Sequence, residues 1–371
     1  MVTPGQAFRF ERIRRDAGCN ARTGRLVTAH GAVQTPAFMP VGTQGALKAL
    51  LPSQAETQGV EMILANTYHL YLRPGSDTIR AAGGLHRFMG WRKPILTDSG
   101  GFQVYSLAKL RKITSEGVLF QSHIDGSRHL LTPETALAVQ ETIGSDIMMC
   151  LDECTPYPCS GKETEASMKL TAEWAARTRK HKKADDRALF GIVQGGTYPE
   201  LRRRAAEQIV AVGFDGYAIG GVSVGEPRKL MYEITEETAP LLPEDRPRYL
   251  MGVGTPEDIV RCVGYGIDMF DCVLPTRCAR HGLLFTNEEK VVIKHARYRD
   301  DQEPPDRDCD CHTCRNFSRA YLRHLFVAGE ILALVLNTIH NVRYYMRLME
   351  RIRSAVEEDR YADFQKEFLK Q

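Results

Sequence analysis

The chain has 371 residues, of which 43% are hydrophobic and 26% are charged, and its formal net charge is only +3. This composition is typical of a soluble globular protein with one large domain or two, and no apolar run reaches the roughly 18 residues that a membrane-spanning helix needs. Ten cysteines without a secretion signal indicate a reducing compartment, so we expect a cytoplasmic protein with no membrane partner.

The first part of the chain, residues 1–36, is predicted to cover the main fold. Residues 8–12 alternate between apolar and polar side chains, and turn-forming residues precede a second short strand at 25–28. Beyond them, short apolar strands alternate with helical segments, as expected of βα units. The predicted strands are 37–41, 62–65, 94–97, 147–151, 189–193, 217–219, 249–252 and 268–270.

Four of the helical segments have clear starting signals. Thr132 and Thr255 are predicted N-caps, each followed by a proline at the first helical position, and Pro52 and Pro199 begin two more helices. Eight βα units spread over about 250 residues match the count of a TIM (β/α)8 barrel, an α/β fold. The alternative is a doubly wound open sheet, which usually has fewer units.

Polar residues and glycine pairs follow six of the predicted strands. A TIM barrel places its functional groups at the C-terminal ends of its strands, so these residues are expected to meet at one mouth. Any one of them alone is explained equally well as a capping or turn residue, but six in the same register favour a functional site. They are Asn66, Asp98, Asp152 with Glu153, Gln194, Gly220 with Gly221, and Asp271.

Two insertions interrupt the βα pattern. Residues 104–131 are predicted to form a hairpin or lid over the strand ends. Residues 282–340 carry a cysteine cluster and are predicted to be a zinc-binding subdomain inserted in the barrel. We therefore divide the chain into 1–281, with the N-terminal cover and the barrel units that carry the catalytic strand ends, the inserted subdomain, and 341–371, a C-terminal helical segment that completes the barrel.

The cysteine cluster is the strongest local signal for a metal. Cys309, Cys311 and Cys314 lie within six residues, and one histidine would complete a closed tetrahedral site of the kind that holds structural zinc. His312 lies too close in sequence to close the site easily. The histidines that can supply the fourth ligand are His340, which follows a long apolar helical stretch, His295 and His324.

Asp271 interrupts a short apolar strand that ends at Pro275, and Arg277 and Arg280 follow it. With Asp98 on another strand end, it forms a carboxylate pair of the type that performs glycosyl transfer: one group attacks the anomeric carbon, and the other handles the proton of the leaving group. The arginines can hold the phosphates of a polyanion. Because the net charge of the chain is so small, such a partner would have to be bound by a local basic patch. The alternative is an N-cap aspartate followed by solvated arginines.

A second group of strand-end residues is complementary to the edge of guanine. The carboxylate of Asp152 can accept two N–H donors, and the amide of Gln194 with the backbone of Gly220 and Gly221 can meet a carbonyl oxygen. Phe102 can stack on such a base.

Taken together, these motifs resemble the bacterial type of tRNA-guanine transglycosylase, or queuine tRNA-ribosyltransferase, over nearly the whole chain. The motifs are TDSGGFQ at 97–103, DECTP at 152–156, GIVQGG at 191–196, GGVSVGE at 220–226, FDCVLPTR at 270–277 and the Cys-x-Cys-x-x-Cys loop at 309–314. The resemblance implies a TIM barrel with one structural zinc per subunit, usually a homodimer. It further implies exchange of guanine at the wobble position of GUN-anticodon tRNAs (Asp, Asn, His and Tyr) for the 7-deazaguanine base 7-aminomethyl-7-deazaguanine (preQ1), in queuosine biosynthesis.

The resemblance also implies a role for each matching residue. Asp271 would be the nucleophile, which forms a covalent ribosyl-aspartate intermediate, and Asp98 the general acid and base. Phe102 would stack on the base. The residues that would hold the base are Asp152, Gln194, Gly220, Gly221 and Met251. Those that would contact the anticodon are Arg277 and Arg280, and those that would bind zinc are Cys309, Cys311, Cys314 and His340.

The departures from the family pattern are small. Phe102 stands where many members have tyrosine, and Val222 replaces a frequent leucine. Val224 and Cys154 match members that take the aminomethyl base rather than the bulkier queuine. The rival predictions are an archaeal-type enzyme, which usually has a further RNA-binding domain, a non-catalytic partner subunit, which should lack the paired aspartates, and more distantly a metal-dependent barrel hydrolase.

Overall fold

The computed structural model describes residues 8–107, 111–183 and 186–370. Its strands are β1 Arg9–Arg15, β2 Arg22–Thr28, β3 Gly31–Thr35, β4 Ala37–Pro40, β5 Ile63–Ala65, β6 Ile95–Thr97, β7 Arg111–Ile113, β8 Val118–Gln121, β9 Arg128–Leu131, β10 Ile147–Met149, β11 Ala188–Val193, β12 Gly216–Ile219, β13 Arg248–Leu250, β14 Met269–Cys272, β15 Leu283–Leu284 and β16 Val291–Val292. Its helices are α1 Pro52–Thr57, α2 Thr67–Leu72, α3 Ser76–Ala81, α4 Leu85–Met89, α5 Gly101–Leu107, α6 Pro133–Ile143, α7 Gly161–His181, α8 Pro199–Val212, α9 Arg228–Thr238, α10 Pro256–Gly264, α11 Leu274–Arg280, α12 His312–Asn316, α13 Arg319–Ala328, α14 Ile331–Glu357 and α15 Tyr361–Phe368, with 3₁₀ turns at Ala239–Leu241 and Ala296–Tyr298.

Eight parallel strands form the centre of the molecule, in the order β4-β14-β13-β12-β11-β10-β6-β5. A parallel bridge between Val41 and Leu64 joins the two end strands, and the Gly42 N–H donates to the Leu64 carbonyl at 2.7 Å. The sheet is therefore wrapped into a nearly closed barrel, which confirms the predicted TIM architecture and excludes the open doubly wound sheet. Each of the eight predicted ranges overlaps one of these strands.

The barrel strands are continuous apolar runs because both of their faces are covered. All six residues of β11 are buried, as are all of those in β10, β12 and β13. Alternation of polar and apolar residues is the pattern of a strand with one wet face, so its absence here fits a parallel sheet surrounded by helices.

The helices begin where their caps predict. The side chain of Thr132 accepts from the backbone N–H of Thr135 at 3.1 Å, and that of Thr255 accepts from Asp258 at 3.2 Å. Proline is the first residue of α6 and α10, and also of α1 and α8. Proline fits this position because the first helical N–H has no partner within the helix.

The N-terminal cover is a three-stranded antiparallel sheet, β1-β2-β3. A buried ion pair fastens it to the barrel: Arg22 on β2 donates to both carboxylate oxygens of Asp268, at 2.9 and 2.5 Å. Asp268 also accepts from the backbone N–H of Arg248, and its own carbonyl accepts from Ala37. The same residue thus joins the cover to the starts of three barrel strands.

The insertion at 104–131 forms a three-stranded antiparallel sheet, β7-β8-β9, rather than a two-stranded hairpin. Residues 108–110 of this insertion lie outside the described part of the chain. The sheet packs through Phe120 and Val118 into a small core with Trp174 of α7. It therefore stands on the outer barrel helices next to α5, which follows β6 directly.

Residues 282–330 form the hairpin β15-β16 and the helices α12 and α13, and the chain then enters α14. This helix runs without a break from Ile331 to Glu357, so it lies partly in each of the segments 282–340 and 341–371. It packs on α11, where Asn341 donates to the Pro275 carbonyl at 3.1 Å. Farther along the same helix, Tyr345 donates to the carbonyl of Gly254, which lies between β13 and α10, at 2.7 Å. Within the described ranges, none of the helices is both long enough and apolar enough to cross a bilayer.

Candidate active site and metal centre

A cavity of about 560 Å³ lies at the C-terminal ends of the barrel strands. Most of the site residues predicted from the sequence line it together, because parallel strands end at the same mouth. Those lining residues are Asp98, Phe102, Asp152, Gln194, Gly220, Gly221, Met251, Asp271 and Arg277. Arg280 is not among the lining residues; it is half-buried, and its Nη1 donates to the Thr276 carbonyl at 2.8 Å.

Asp98 follows β6 and is held at both carboxylate oxygens. Its Oδ2 accepts from the Asn66 side chain, and its Oδ1 accepts from the Thr67 backbone N–H at 2.8 Å. Burial raises the pKa of Asp98 to about 6 although these hydrogen bonds lower it, and the nearby charge of Asp271 raises it further. A carboxyl with such a pKa can give up and take back a proton near neutral pH.

Asp271 lies within β14, one residue before the strand ends. Its Oδ1 accepts from the Tyr249 hydroxyl at 2.5 Å and from the Gly252 N–H at 2.7 Å. No other donor to this carboxylate is found among the described residues, so Oδ2 keeps its lone pairs for another partner. Burial raises the pKa of Asp271, whereas the two hydrogen bonds lower it.

Asp152 and Gln194 form a third polar group in the cavity. The Gln194 amide donates to Asp152 Oδ2 at 2.6 Å, and the Ser99 hydroxyl donates to Oδ1 at 3.2 Å. Burial raises the pKa of Asp152 to about 6 against the lowering effect of these bonds. The bond to Gln194 fixes its amide with nitrogen toward Asp152, which leaves the amide oxygen on the side of Gly221.

Gly221 is a position that only glycine fits. Its φ is +65°, and a Cβ placed on it would lie 2.2 Å from Gln194 Oε1. A side chain here would strain the backbone and push the Gln194 amide away. The glycines after β12 therefore permit close packing of backbone against the amide.

Phe102, Met251 and Val224 are among the apolar side chains that line the cavity. Phe102, on α5, is 47% exposed, an unusual state for a large aromatic side chain. Val224 lies in the loop after β12, where the Glu226 carboxylate accepts from its backbone N–H at 2.9 Å. An exposed ring beside a polar cleft offers a stacking surface for a flat ligand.

Cys309, Cys311, Cys314 and His340 are buried and bring one ligand atom each within 4.8 Å of the others, so they can hold a metal ion. The His340 Nδ1 lies 3.2 Å from the sulfur of Cys314. Its Nε2 lies 2.7 Å from the Phe285 carbonyl, which can only accept, so Nε2 carries a proton and Nδ1 is the nitrogen that faces the sulfurs. Histidines that bind metals usually donate their other ring nitrogen to such an acceptor, because this bond fixes the orientation of the ring.

The structure also settles which histidine joins the cysteines. His295, His312 and His324 are exposed and do not belong to the group. Three thiolates and one imidazole are the ligands of closed tetrahedral sites, and they leave no open position for a reacting molecule.

Two neighbours of the carboxylates were missed in the sequence. Tyr249, predicted only as part of a strand, is fully buried and supports Asp271, and Ser99, quoted only within a motif, supports Asp152. Tyrosine on a buried strand is a usable signal, since a buried hydroxyl needs a hydrogen-bond partner. The identity of that partner depends on strand order, which periodicity does not give.

The family described as Queuine tRNA-ribosyltransferase matches residues 16–371 of the chain. A relative of that name from Caldanaerobacter subterraneus subsp. tengcongensis is 57% identical over 365 residues, which cover 98% of this chain and 97% of the relative. Relatives of the same name are 59% identical over 350 residues in Solidesulfovibrio magneticus, with 94% of each chain covered, and 57% identical over 364 residues in Symbiobacterium thermophilum, with 98% and 91% covered. The chain therefore belongs to the queuine tRNA-ribosyltransferase family of tRNA-guanine transglycosylases, transferases that modify guanine in tRNA in the queuosine pathway.

Proposed function

We propose that this enzyme replaces guanine at the wobble position of GUN-anticodon tRNAs with preQ1 through a covalent ribosyl-aspartate intermediate. The observation that carries the proposal is the placement of Asp98 and Asp271 in one cavity, beside a donor and acceptor set complementary to guanine. Each later step is a consequence of what these side chains can bind, attack or protonate.

Asp271 is the proposed nucleophile. Its Oδ1 is occupied by Tyr249 and Gly252, and Oδ2 carries no bond from the described residues, so one oxygen anchors the group while the other attacks the ribose C1′. Exchange with retention of configuration needs two inversions, and the ester on Asp271 supplies the first of them. The ester also protects the sugar from water until the new base arrives.

Asp98 is the proposed general acid and base. Guanine leaves C1′ as an anion unless it receives a proton, and the incoming base must lose one as it attacks. A carboxyl with a pKa of about 6 serves both steps at neutral pH. The hydrogen bonds from Asn66 and Thr67 keep this carboxyl in a fixed orientation.

Asp152, Gln194 and the Gly220–Gly221 backbone are proposed to hold the base. The carboxylate accepts from the N1–H and N2–H₂ groups of guanine or preQ1, and N–H donors meet O6. Met251 and Phe102 enclose the flat faces of the ring. Val224 and Cys154 line the cavity as well, and this fits preQ1, which is smaller than queuine.

The first expected result concerns pH. Because the pKa of Asp152 is about 6, this group is a carboxylate above pH 6 and is protonated below it, where it loses an acceptor for the base. The affinity for guanine, measured by calorimetry, should be constant above about pH 7. Below pH 6 it should decrease by up to about tenfold for each pH unit. Asp98→Asn should keep this dependence, whereas Asp152→Asn should bind weakly at every pH. An affinity that stays constant from pH 5 to 8 would contradict the assignment.

Arg277 and Arg280 are proposed to contact the anticodon. Arg277 is exposed at the cavity rim, whereas Arg280 is half-buried with one nitrogen already bonded within α11. Arg277 therefore has more donors available for RNA. Guanidinium groups can bind phosphates or read base edges, and only the second function selects the anticodon sequence.

Arg277→Ala should weaken tRNA binding by roughly 1–3 kcal/mol, and unevenly across anticodon sequences, if the side chain reads bases. Binding should be measured at several salt concentrations, because each lost phosphate contact lowers the salt dependence. Arg277→Lys is the matched control, since it keeps the charge but not the planar fork of donors. Equal losses on all RNAs, restored by lysine, would reduce Arg277 to a phosphate contact.

We propose that the Cys₃His group holds one structural zinc ion. The donor set fits zinc, and the bond from His340 Nε2 to the Phe285 carbonyl holds the ring with Nδ1 toward the three sulfurs. Bound there, zinc would crosslink the loop at 309–314 to α14. Its role is to stabilise the fold, because the closed ligand set takes no part in the chemistry.

We propose that the enzyme is a homodimer that uses the apolar patch formed by Val327, Ile331 and Leu332. These side chains are 61%, 76% and 43% exposed, and they cluster where α13 ends and α14 begins. Ile331→Glu should convert the dimer to a monomer in sedimentation equilibrium, since it places a charge in an apolar contact. Ile13→Glu, on the exposed N-terminal sheet, is the control and should not change the mass. A monomeric wild-type protein would exclude this proposal.

The experiment that tests the function directly measures release of labelled guanine from a GUN-anticodon tRNA, with and without preQ1. Release beyond one equivalent per active site should depend on the added base, and tRNAs with other first anticodon bases should release none. Release from a position outside the anticodon would favour the archaeal type of reaction, and absence of release would favour a non-catalytic subunit.

A further inference from the structure

Arg202 on α8 is an unusual buried charge. It is only 1% exposed, and no described carboxylate lies within 4 Å of its guanidinium. Its donors are used instead by backbone carbonyls: Nε donates to Gly196 at 2.8 Å, Nη1 to Val193 at 3.0 Å and to Gly220 at 2.7 Å, and Nη2 to Gly221 at 3.2 Å. Burial of the charge lowers the pKa of Arg202 to about 10, so it remains protonated at neutral pH.

The four carbonyls lie where two barrel strands end, in segments that carry the proposed base-binding groups. Val193 is the last residue of β11 and Gly196 lies in the loop that follows it, on either side of Gln194, and the two remaining carbonyls lie in the loop after β12. One side chain from a helix behind the barrel thus ties both loops together. Neutral carbonyl oxygens can replace water around a buried guanidinium when enough of them converge, and here four do.

These bonds fix the direction of the donors that face the cavity. In a trans peptide, the C=O and N–H groups point in opposite directions. The Gly220 carbonyl points to Arg202, so the N–H of Gly221 in the same peptide points away from Arg202. The Gly221 carbonyl is bonded in the same way, which directs the N–H of Val222 away as well. Gly221 and Val222 both line the cavity.

The glycines in these loops allow this close approach. A Cβ on Gly195 would lie 2.8 Å from the backbone nitrogen of Arg202, and a Cβ on Gly221 would lie 3.4 Å from its Nη2. Both glycines have positive φ, so larger residues would be strained and would also separate the loops from the helix.

We propose that Arg202 is a positioning residue for base recognition: it orients the peptides after β11 and β12 so that their N–H groups and the Gln194 amide meet the O6 edge of the base. This inference rests on the proposed role of those groups in holding the base. Arg202 touches neither base nor tRNA. Its effect should therefore appear in the use of the base and not in the binding of RNA.

Arg202→Lys is the test variant. Lysine keeps the charge but has a single nitrogen, which cannot reach four carbonyls in two loops. We expect the KM for preQ1 to rise on the order of tenfold or more, with the Kd for tRNA changed less than about twofold. Arg203→Lys is the matched control: Arg203 is the next residue on the same helix, it is exposed, and it pairs with Glu200 and Glu207, so its replacement should change neither constant.

Two further variants make the outcome decisive. Arg202→Gln removes the charge but keeps a donor and an acceptor. It should raise the same KM, and it serves as the test variant if Arg202→Lys does not fold. Gln194→Ala should also raise the KM for preQ1, and adding Arg202→Lys to it should raise the KM by a smaller factor than Arg202→Lys does alone, because one of the positioned groups is gone.

The possible outcomes distinguish a failure of the positioning role of Arg202 from a failure of the proposed base site. A normal KM for preQ1 in both Arg202 variants, with lowered thermal stability, would overturn the positioning role and leave Arg202 a structural residue. A normal KM in Gln194→Ala would overturn the proposed base site itself, whatever Arg202 does. A rise in KM for both positions with unchanged tRNA affinity would support the proposal.

Discussion

Asp271→Asn should abolish base exchange and covalent attachment of tRNA together, while folding and tRNA binding persist. An amide is a far weaker nucleophile than a carboxylate, so the rate of exchange should fall by about 10⁴-fold or more. The structure makes this a clean substitution. Both hydrogen bonds to Asp271 fall on Oδ1, and the asparagine oxygen can accept the same two bonds from Tyr249 and Gly252.

The measurement is a denaturing gel of enzyme and tRNA trapped with a slow base analogue, read beside the rate of guanine release. Wild-type enzyme should give a shifted band, and Asp271→Asn should give none. Asp98→Asn is the matched comparison, because it removes the other carboxylate of the same cavity; it should bind tRNA and turn over very slowly. A band that persists in Asp271→Asn and disappears in Asp98→Asn would mean that the two roles are reversed.

Cys311→Ser should remove the metal and unfold the segment around residues 282–340. Structural zinc binding contributes about 10–16 kcal/mol in small zinc peptides, which is comparable to the whole stability of an average domain at about 5–15 kcal/mol. Cys311 is 2% exposed, and its sulfur accepts from the Cys314 N–H at 3.3 Å, so it is central to the cluster. A chelator should have the same effect on the wild-type protein.

Metal analysis and limited proteolysis measure the two consequences separately. The variant should contain no zinc and should be cleaved within 282–340 under conditions that leave the wild-type chain intact. Cys159→Ser, which changes a half-buried cysteine outside the group, should keep both the metal and the resistance to protease. Stoichiometric zinc in Cys311→Ser would exclude the assigned ligand set.

The features that could be predicted from the sequence were those with a local cause. Thr132 and Thr255 cap helices because hydroxyl, proline and acid are adjacent in the chain, and Asp98 follows a strand whose apolar run is visible by itself. The paired position of Asp98 and Asp271 followed from the barrel, since a count of eight units already places both at one mouth.

The features that were missed depend on contacts between distant segments. Tyr249 reaches Asp271 only because β13 and β14 are neighbours, and their relative register decides which side chains meet. The choice of His340 over His295 and His324 was made by resemblance alone, since spacing allowed all three. Arg202 belongs to none of the sequence motifs, and nothing in its sequence context shows that α8 turns it toward two glycine loops.

The pairing of β4 with β14 has a consequence for how the chain is made. β4 leaves the ribosome early, but the strand that covers one of its edges is synthesised far later, after about 10 s or more at ordinary rates of translation. During that interval β4 has an open edge to which another chain could pair. Because β14 also carries Asp271, the nascent enzyme acquires its proposed nucleophile only when the barrel closes. A ribosome that stalls before β14 would therefore release a chain that is both inactive and prone to aggregate.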